Sequence, residues 1–354
     1  MFISSVSSII PGDNNNFGQL YPTSKILDRI RSTDDFDVDF IEKNVGIETI
    51  ALSNDTISYI EGRTKGVPRN NSIYQMLDST VDYLINQSAE KDPSLNIKFH
   101  IHITSGTDPW IINKINKILL AKNIDTKVKT LILQQGCSGI LEAIDLAERL
   151  IGEDEDILIT AENNTIPHSH QRFNKFAHRK NMNEWLWASI FGEAVGGMIV
   201  SKKNTANSFQ IIEKNKFVAC NEWRVTEKVE NNQSKVVVKA KEVKKTYITS
   251  MSKIVNKAHE EHGLFSKYLF HESNPKMIQY LRKFFNINSR KNVSISSKVG
   301  TLACVSSFTL LDRINYEKAS RGFNKVSDKD KILLAAIGET GGSVIAGHMV
   351  LRNS

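Results

Sequence analysis

Thr130-Leu131-Ile132-Leu133-Gln134-Gln135-Gly136-Cys137-Ser138-Gly139-Ile140-Leu141-Glu142-Ala143 runs from an apolar stretch of strand length, through a Gly-Cys-Ser-Gly turn, into a helical pattern. Ile140, Leu141, Ala143, Ile144, Leu146, Ala147 and Leu150 recur at helical spacing on one face. Cys137 therefore stands between the carboxyl end of a strand and the amino end of a helix. There, unpaired backbone N–H groups and the positive end of the helix dipole favour thiolate over thiol. The flanking glycines permit a sharp turn and close approach by an incoming molecule. A free cysteine otherwise serves as a small buried hydrophobe, and the turn is what separates the two uses.

A chain of 354 residues can bury a sizeable core, as one large domain or two ordinary ones. Its 40% hydrophobic and 24% charged content is that of a soluble globular protein. A net charge of +7 permits an acidic partner without demanding nucleic acid. No apolar run is long enough to span a bilayer, and Met1-Phe2-Ile3-Ser4-Ser5-Val6 lacks the features of a signal peptide. Cys137, Cys220 and Cys304 are odd in number and widely spaced, which indicates neither a disulfide framework nor a zinc knuckle. A reducing, cytoplasmic setting is the expectation.

Outward from Cys137, the chain reads as two similar halves. Phe2 to Ile10 reads as an opening strand, residues 70–88 as an amphipathic helix, Lys98 to Thr104 as a strand and 110–121 as a helix. After the Cys137 helix come the strand Ile157–Ala161, a polar insertion over 162–188, and a glycine-punctuated strand over 191–200. Residues 201–246 read as irregular and Lys-rich, with a helix near 249–261 and the strand Tyr268-Leu269-Phe270. The segment 293–311 reads as a second strand–turn–helix, and Ile332–Ile337 with Val344–Leu351 as a second strand pair. Gly192-Glu193 and Gly338-Glu339 open corresponding strands. The expected architecture is an α/β fold of two duplicated halves, 1–205 and 206–354, in layers α-β-α-β-α.

Equivalent strand ends of two such halves converge on one crevice. Cys137 comes from the first. His271, in Phe270-His271-Glu272-Ser273-Asn274-Pro275, comes from the second, just past a strand and ahead of a helix that Pro275 suits. Alone, a histidine there is as readily structural; beside a positioned cysteine it is a candidate base or hydrogen-bond donor. The turn over 338–342 contributes Gly341-Gly342, a candidate N–H donor to an oxyanion beside the N–H of Cys137.

Gly136-Cys137-Ser138-Gly139-Ile140-Leu141 resembles the nucleophile motif of the β-ketoacyl-acyl-carrier-protein synthase III family, of the thiolase fold. His271-Glu272-Ser273-Asn274 is similar to that family's His-Gln-Ala-Asn segment, and Gly192-Glu193-Ala194-Val195-Gly196-Gly197 to its Gly-Asp-Gly-Ala-Gly. Val45-Gly46-Ile47 resembles its early Thr-Gly-Ile, and Glu339 to Arg352 its closing turn and strand. The resemblance spans nearly the whole chain in the family's order. It implies an enzyme, an acyltransferase or condensing enzyme of polyketide- or fatty-acid-like metabolism. An acyl group would pass from a carrier thioester to Cys137, with His271 assisting and the N–H groups of Cys137 and Gly342 as oxyanion hole. It also implies a dimer, with itself or with a homologue.

The departures narrow this. The family's second catalytic asparagine falls at Gly300, in Val299-Gly300-Thr301, which weighs against malonyl decarboxylation and leaves a Cys-His dyad. Its coenzyme A-clamping tryptophan and arginine fall at Phe40 and Asn44, which favours an acyl-carrier-protein donor over coenzyme A. Trp185 and Trp187 in the insertion, with Asn274 and Gly300, are the candidate pocket residues. His168, His170 and His178 lack a matching ligand set, so no metal is expected, and no phosphate loop or dinucleotide fingerprint implies a cofactor. The Lys-rich region 235–245 lacks interleaved aromatics, so a nucleic-acid reading ranks last. A catalytically inactive subunit of a heterodimeric synthase is the rival class, motivated by Gly300.

Overall fold

The computed structural model describes residues 1–13, 15–30, 45–64, 71–104, 111–122, 124, 128–164, 190–221, 225–230, 233–238, 240–320, 330–340 and 343–354. In chain order these form β1 (Phe2–Ile9), β2 (Gly18–Pro22), α1 (Thr23–Ile30), β3 (Thr49–Ser53), α2 (Asn54–Ile60), α3 (Asn71–Lys91), β4 (Ile97–Thr104), α4 (Ile111–Ala121), β5 (Lys129–Gln134) and α5 (Gly139–Leu150). There follow β6 (Asp156–Asn163), β7 (Ala194–Ser201), β8 (Phe209–Cys220), the ribbon β9 (Val225–Glu230) and β10 (Gln233–Val238), and α6 (Ala240–His262). The chain ends through β11 (Lys267–Phe270), α7 (Pro275–Phe284), α8 (Ser296–Val299), α9 (Ser306–Ser320), β12 (Lys331–Thr340) and β13 (Ser343–Asn353).

Nine strands join in the order β11-β12-β13-β8-β1-β7-β6-β4-β5. Strands from residues 2–201 lie on one side and those from 209–353 on the other. In the sheet they join where Phe2 and Ile3 of β1 pair with Gln210 and Phe209 of β8, extended by the Ile211 N–H donating to the Met1 carbonyl at 3.0 Å. β4 runs parallel to β5 and β6, and β11 parallel to β12; the remaining pairs of this sheet are antiparallel.

The layering follows from strand alternation. Ile332, Leu334 and Ala336 of β12 pack in one core with Ile140 and Ile144 of α5, Phe308 and Leu311 of α9, and Ile157 and Ile159 of β6. Leu333, Ala335 and Ile337 face the other way, onto Met251 and Ile254 of α6 and Ile278 and Leu281 of α7. On the far side, Leu158 and Ile199 pack against Met76 and Leu77 of α3 and Ile115 of α4. Helices α5 and α9 are thus enclosed between the two groups of strands, with α3 and α4 outside one and α6 and α7 outside the other. The mixed α/β fold in five layers is the one expected. No helix among the described residues is long and apolar enough to cross a membrane.

Three local expectations are corrected. Residues 201–246, read as irregular, contain β8, the β9–β10 ribbon and the first turns of α6. Lys241, Lys244 and Lys245 are exposed in the first turns of a helix that further along buries Tyr247, Met251, Ile254, Val255 and Ala258. Residues 293–297, read as a strand, belong to no ladder: the bridge to Tyr268 is made by Asn292, just before them, and the chain turns into α8 at Ser296. The buried Glu272 carboxylate draws in the N–H groups of Ile295 and Ser296 at 3.1 Å and the Ser294 hydroxyl, so these groups cap a helix instead of pairing in a ladder. The insertion expected from 162 begins later, because β6 continues through Asn163.

Candidate active site

Cys137 occupies the turn between β5 and α5 and is half-buried. Thr104 is the last residue of β4 opposite β5, and its carbonyl accepts the Gln135 N–H at 3.0 Å, so the ladder closes one residue before Gly136. Ser138, at the N-cap of α5, makes no side-chain cap; its hydroxyl donates to the Gly338 carbonyl at 3.3 Å. The positive end of the α5 dipole is thereby left beside the cysteine without a side-chain cap.

β12 collects the other half of the site. The Ala335 carbonyl accepts the His271 N–H at 2.8 Å, directly past the end of β11. Three residues on, about 10 Å along the strand, Gly338 lies against the nucleophile turn. A Cβ placed on it would stand 2.6 Å from Ser138 N, 2.8 Å from Cys137 N and 2.9 Å from Cys137 Cβ. Tyr247 of α6 links the two: its hydroxyl donates to the His271 carbonyl, and Cys137 and Glu272 both act electrostatically on the phenol. Burial, reinforced by Glu272 and Cys137, drives the Tyr247 pKa well above the ordinary phenol range, so it stays a neutral donor.

His271 is 3% exposed, and burial lowers its pKa to about 4. The imidazole is therefore neutral at neutral pH, able to accept a proton. Its Nδ1 has no hydrogen-bond partner among the described residues. Glu272, beside it, is buried with its pKa raised by desolvation against the pull of its four donors in the 294–296 segment. It fixes that segment to the end of β11.

The 294–301 segment shows why an asparagine is absent. Gly300 ends α8 at φ +77° and ψ −174°, a region open in practice to glycine alone. A Cβ there would lie 2.7 Å from the Ile190 carbonyl oxygen and 3.0 Å from Gly192 N. Thr301 closes the same contact, donating its N–H to the Ile190 carbonyl at 2.7 Å and its hydroxyl to the Ser273 carbonyl at 2.7 Å. Asn274 caps α7, its Oδ1 accepting the Met277 N–H at 2.9 Å, so this amide is engaged in the fold. Gly342, Trp185, Trp187, the three insertion histidines, Phe40 and Asn44 lie outside the described residues; in the turn over 338–342, residues 338–340 belong to β12.

Tyr247 and Gly338 are the site residues that sequence reasoning missed. The helical spacing of Tyr247 with Met251, Ile254 and Ala258 signals its burial, but nothing local signals its hydrogen bond to the His271 carbonyl. Gly338 reads only as the start of a turn.

No family model matches the chain, and no curated protein does. Solved structures do. A Cys-to-Ser variant of Xanthomonas campestris OleA with bound lauric acid and lauroyl-CoA is 13% identical over 99% of this chain and 98% of that chain, with a TM-score of 0.74. A His-to-Asn variant of the same enzyme gives 13%, the same coverage and 0.77. AbyA1, a tetronic acid condensing enzyme, gives 13% over 99% of this chain and all of that chain, with a TM-score of 0.70. The likeness carries the fold: this chain shares the fold of OleA and AbyA1 end to end, the thiolase-like fold expected.

Proposed function

We propose that this chain is a thiolase-type acyltransferase or condensing enzyme that takes an acyl group from a carrier thioester onto Cys137 and passes it to an acceptor. The observation that carries this is that one strand, β12, receives two sequence-distant segments: Cys137 against Gly338 and His271 on Ala335, with the Tyr247 hydroxyl bonded to the His271 carbonyl. The Cys137 thiolate attacks the thioester carbonyl carbon. The new C–S bond forms as the bond to the carrier sulfur breaks, and the carrier leaves as its thiol with the proton first held by Cys137. His271, neutral and buried, carries that proton. In the second half the acceptor attacks the Cys137 thioester, His271 takes the acceptor's proton, and the Cys137 thiol is restored. The N–H of Cys137 is one oxyanion donor of the proposal and Gly342 the other.

Gly300 supports transfer by the Cys-His dyad rather than by an enolate held between His and Asn. The donor of the proposal is an acyl carrier protein or coenzyme A, in specialised, polyketide- or fatty-acid-like metabolism of the cytoplasm. Lauroyl-CoA in an OleA structure supports a thioester donor. β5 stands at the sheet edge with Thr130, Leu131, Ile132 and Leu133 half-buried, which supports pairing with a second copy or a homologue.

The test is intact mass after incubation with acyl thioesters of several classes. Wild type gains one acyl mass, located at Cys137 by peptide mapping, and Cys137→Ala gains none. Unchanged mass across all classes refutes the proposal. The same Gly300 geometry favours one second reading, an inactive subunit of a heterodimeric synthase. Its signature is a one-to-one complex with a homologue in which Cys137 never acylates.

A further inference from the structure

At the far end of α6, Glu213 of β8, Glu261 and His262 of α6, and His348 of β13 come together. Their sequence separation hides the group from any reading of motif spacing. Tyr247 and His262 lie 15 residues apart on α6, about 22 Å along its axis, so this cluster is separate from the Cys137 site. His262 Nε2 meets one oxygen of Glu213, and His348 Nε2 lies 3.2 Å from the other. The ligand atoms of Glu213, Glu261 and His262 all lie within 4.8 Å of one another. His348 is 2% exposed and Glu213 28%, while Glu261 is 43% exposed and leaves the group open to solvent on one side.

Two carboxylates at this separation repel one another unless a cation stands with them. On the Glu261 side Lys257 offers a partial answer, its Nζ 3.7 Å away, but both side chains are exposed and solvent screens the pair; on the Glu213 side the imidazoles of His262 and His348 meet the carboxylate, as the nitrogen ligands of an ion would. We infer that Glu213, Glu261 and His262 form a binding site for a first-row divalent cation of the zinc class, with His348 as fourth ligand or as the group that orients the Glu213 carboxylate. Imidazole beside carboxylate selects zinc or cobalt over magnesium and calcium, which take oxygen sets. Ligand–ligand distances of about 3.3 Å follow from tetrahedral bonds of about 2.0–2.1 Å, and the His348–Glu213 contact already has that length. The ion would tie the C-terminal turn of α6 to β8 and β13, and so brace the helix that carries Tyr247. The site does not rest on the catalytic proposal.

The test uses the full chain, stripped with chelator and titrated with Zn²⁺ alone and then Co²⁺ alone. The expected result is one equivalent bound, a raised thermal midpoint, and a cobalt spectrum without the thiolate charge-transfer band that Cys137, Cys220 or Cys304 would give. His262→Ala abolishes uptake. His348→Phe weakens it roughly 10–100-fold, as loss of an orienting partner does. Should His262→Ala fail to fold by circular dichroism, Glu261→Gln, at an exposed position, carries the same test with at least about tenfold weaker binding. No stoichiometric uptake, a thiolate band, or uptake unchanged in the folded variants overturns the inference. Acyl loading of Cys137 is measured on the same preparations, so failure of one proposal is seen apart from failure of the other.

Discussion

A methyl group at Gly338 would press into the backbone of Cys137 and Ser138 at 2.6–2.9 Å, where neither neighbour can rotate away. Gly338→Ala is therefore expected to displace the nucleophile turn, and acyl loading should fall about a hundredfold, the cost of roughly an ångström of misplacement. A circular dichroism spectrum like wild type with loading unaffected would count against this geometry. Gly300→Asn is the reciprocal experiment. It supplies the amide that the family resemblance implies and this chain lacks, but at a positive φ and against the Ile190 carbonyl. It should destabilise by about 1–3 kcal/mol in urea unfolding and yield no malonyl decarboxylation. His271 gives the pH signature. With its pKa near 4 through burial, the base form persists well below neutrality, so the acid limb of acyl transfer should fall near pH 4 and not near 6.5. His271→Asn should cost about 10²–10⁴-fold and remove that limb.

Glu272 acts on a whole element. It accepts from Ile295 N, Ser296 N and the Ser294 and Ser296 hydroxyls, and so holds α8 and the Gly300 turn against the end of β11. Glu272→Ala would leave the buried Ser296 N–H without an acceptor, at about 1–3 kcal/mol, and the half-buried Ile295 N–H as well. The expected readout is a lower urea midpoint together with faster amide exchange confined to 294–301; global exchange without that local signature would sink the assignment. The same carboxylate explains where sequence reading failed. Val293-Ser294-Ile295-Ser296-Ser297 has the alternation of a strand, but a buried acceptor from another segment outbid the ladder, and alternation carries no trace of it. Elements whose pattern answers to their own burial were legible: α3 through Ile73, Leu77, Val81 and Leu84, and β5–α5 through the apolar run and the turn. β8 was not, because at the junction of the two strand groups its residues are mostly half-exposed and include Lys214 and Lys216, which pair with Asp145 and Glu142 of α5. The placement of Cys137 and His271 was legible because each follows the end of a strand. Tyr247 and Glu213 were not, since their roles arise only from contacts across the fold.

Across the molecule, burial of titratable groups sets the response to acid. Burial lowers the pKa of His100 to about 3 and of His271 to about 4, and holds His102, next to His100, well below its ordinary value. Unfolded, all three bind protons near pH 6.5. Below that pH the unfolded chain holds more protons than the folded one, so their contribution is complete above 6.5 and is lost as pH falls toward 4 and 3. Burial alone would raise Asp145, but Lys214 and Lys216 hold it below its usual range, which adds to the loss at lower pH. Two groups oppose. Burial raises Asp312 to about 6, and raises Glu272, so their stabilisation is present below the ordinary carboxylate range and fades as pH rises. His259 and His348, which burial also lowers, add to the same side, so the imidazoles and Asp145 outweigh the two opposing carboxyls, and the urea midpoint should fall steadily from pH 6.5 to 4.5. Asp312→Asn removes one opposing group, and the Ser8 N–H and hydroxyl that donate to Asp312 can still meet the amide oxygen. Its stability should therefore drop more steeply between pH 6 and 4, by up to about 1.4 kcal/mol per pH unit. A slope equal to wild type would mean that Asp312 is ionised throughout that window, and that Ser8, rather than burial, governs its charge.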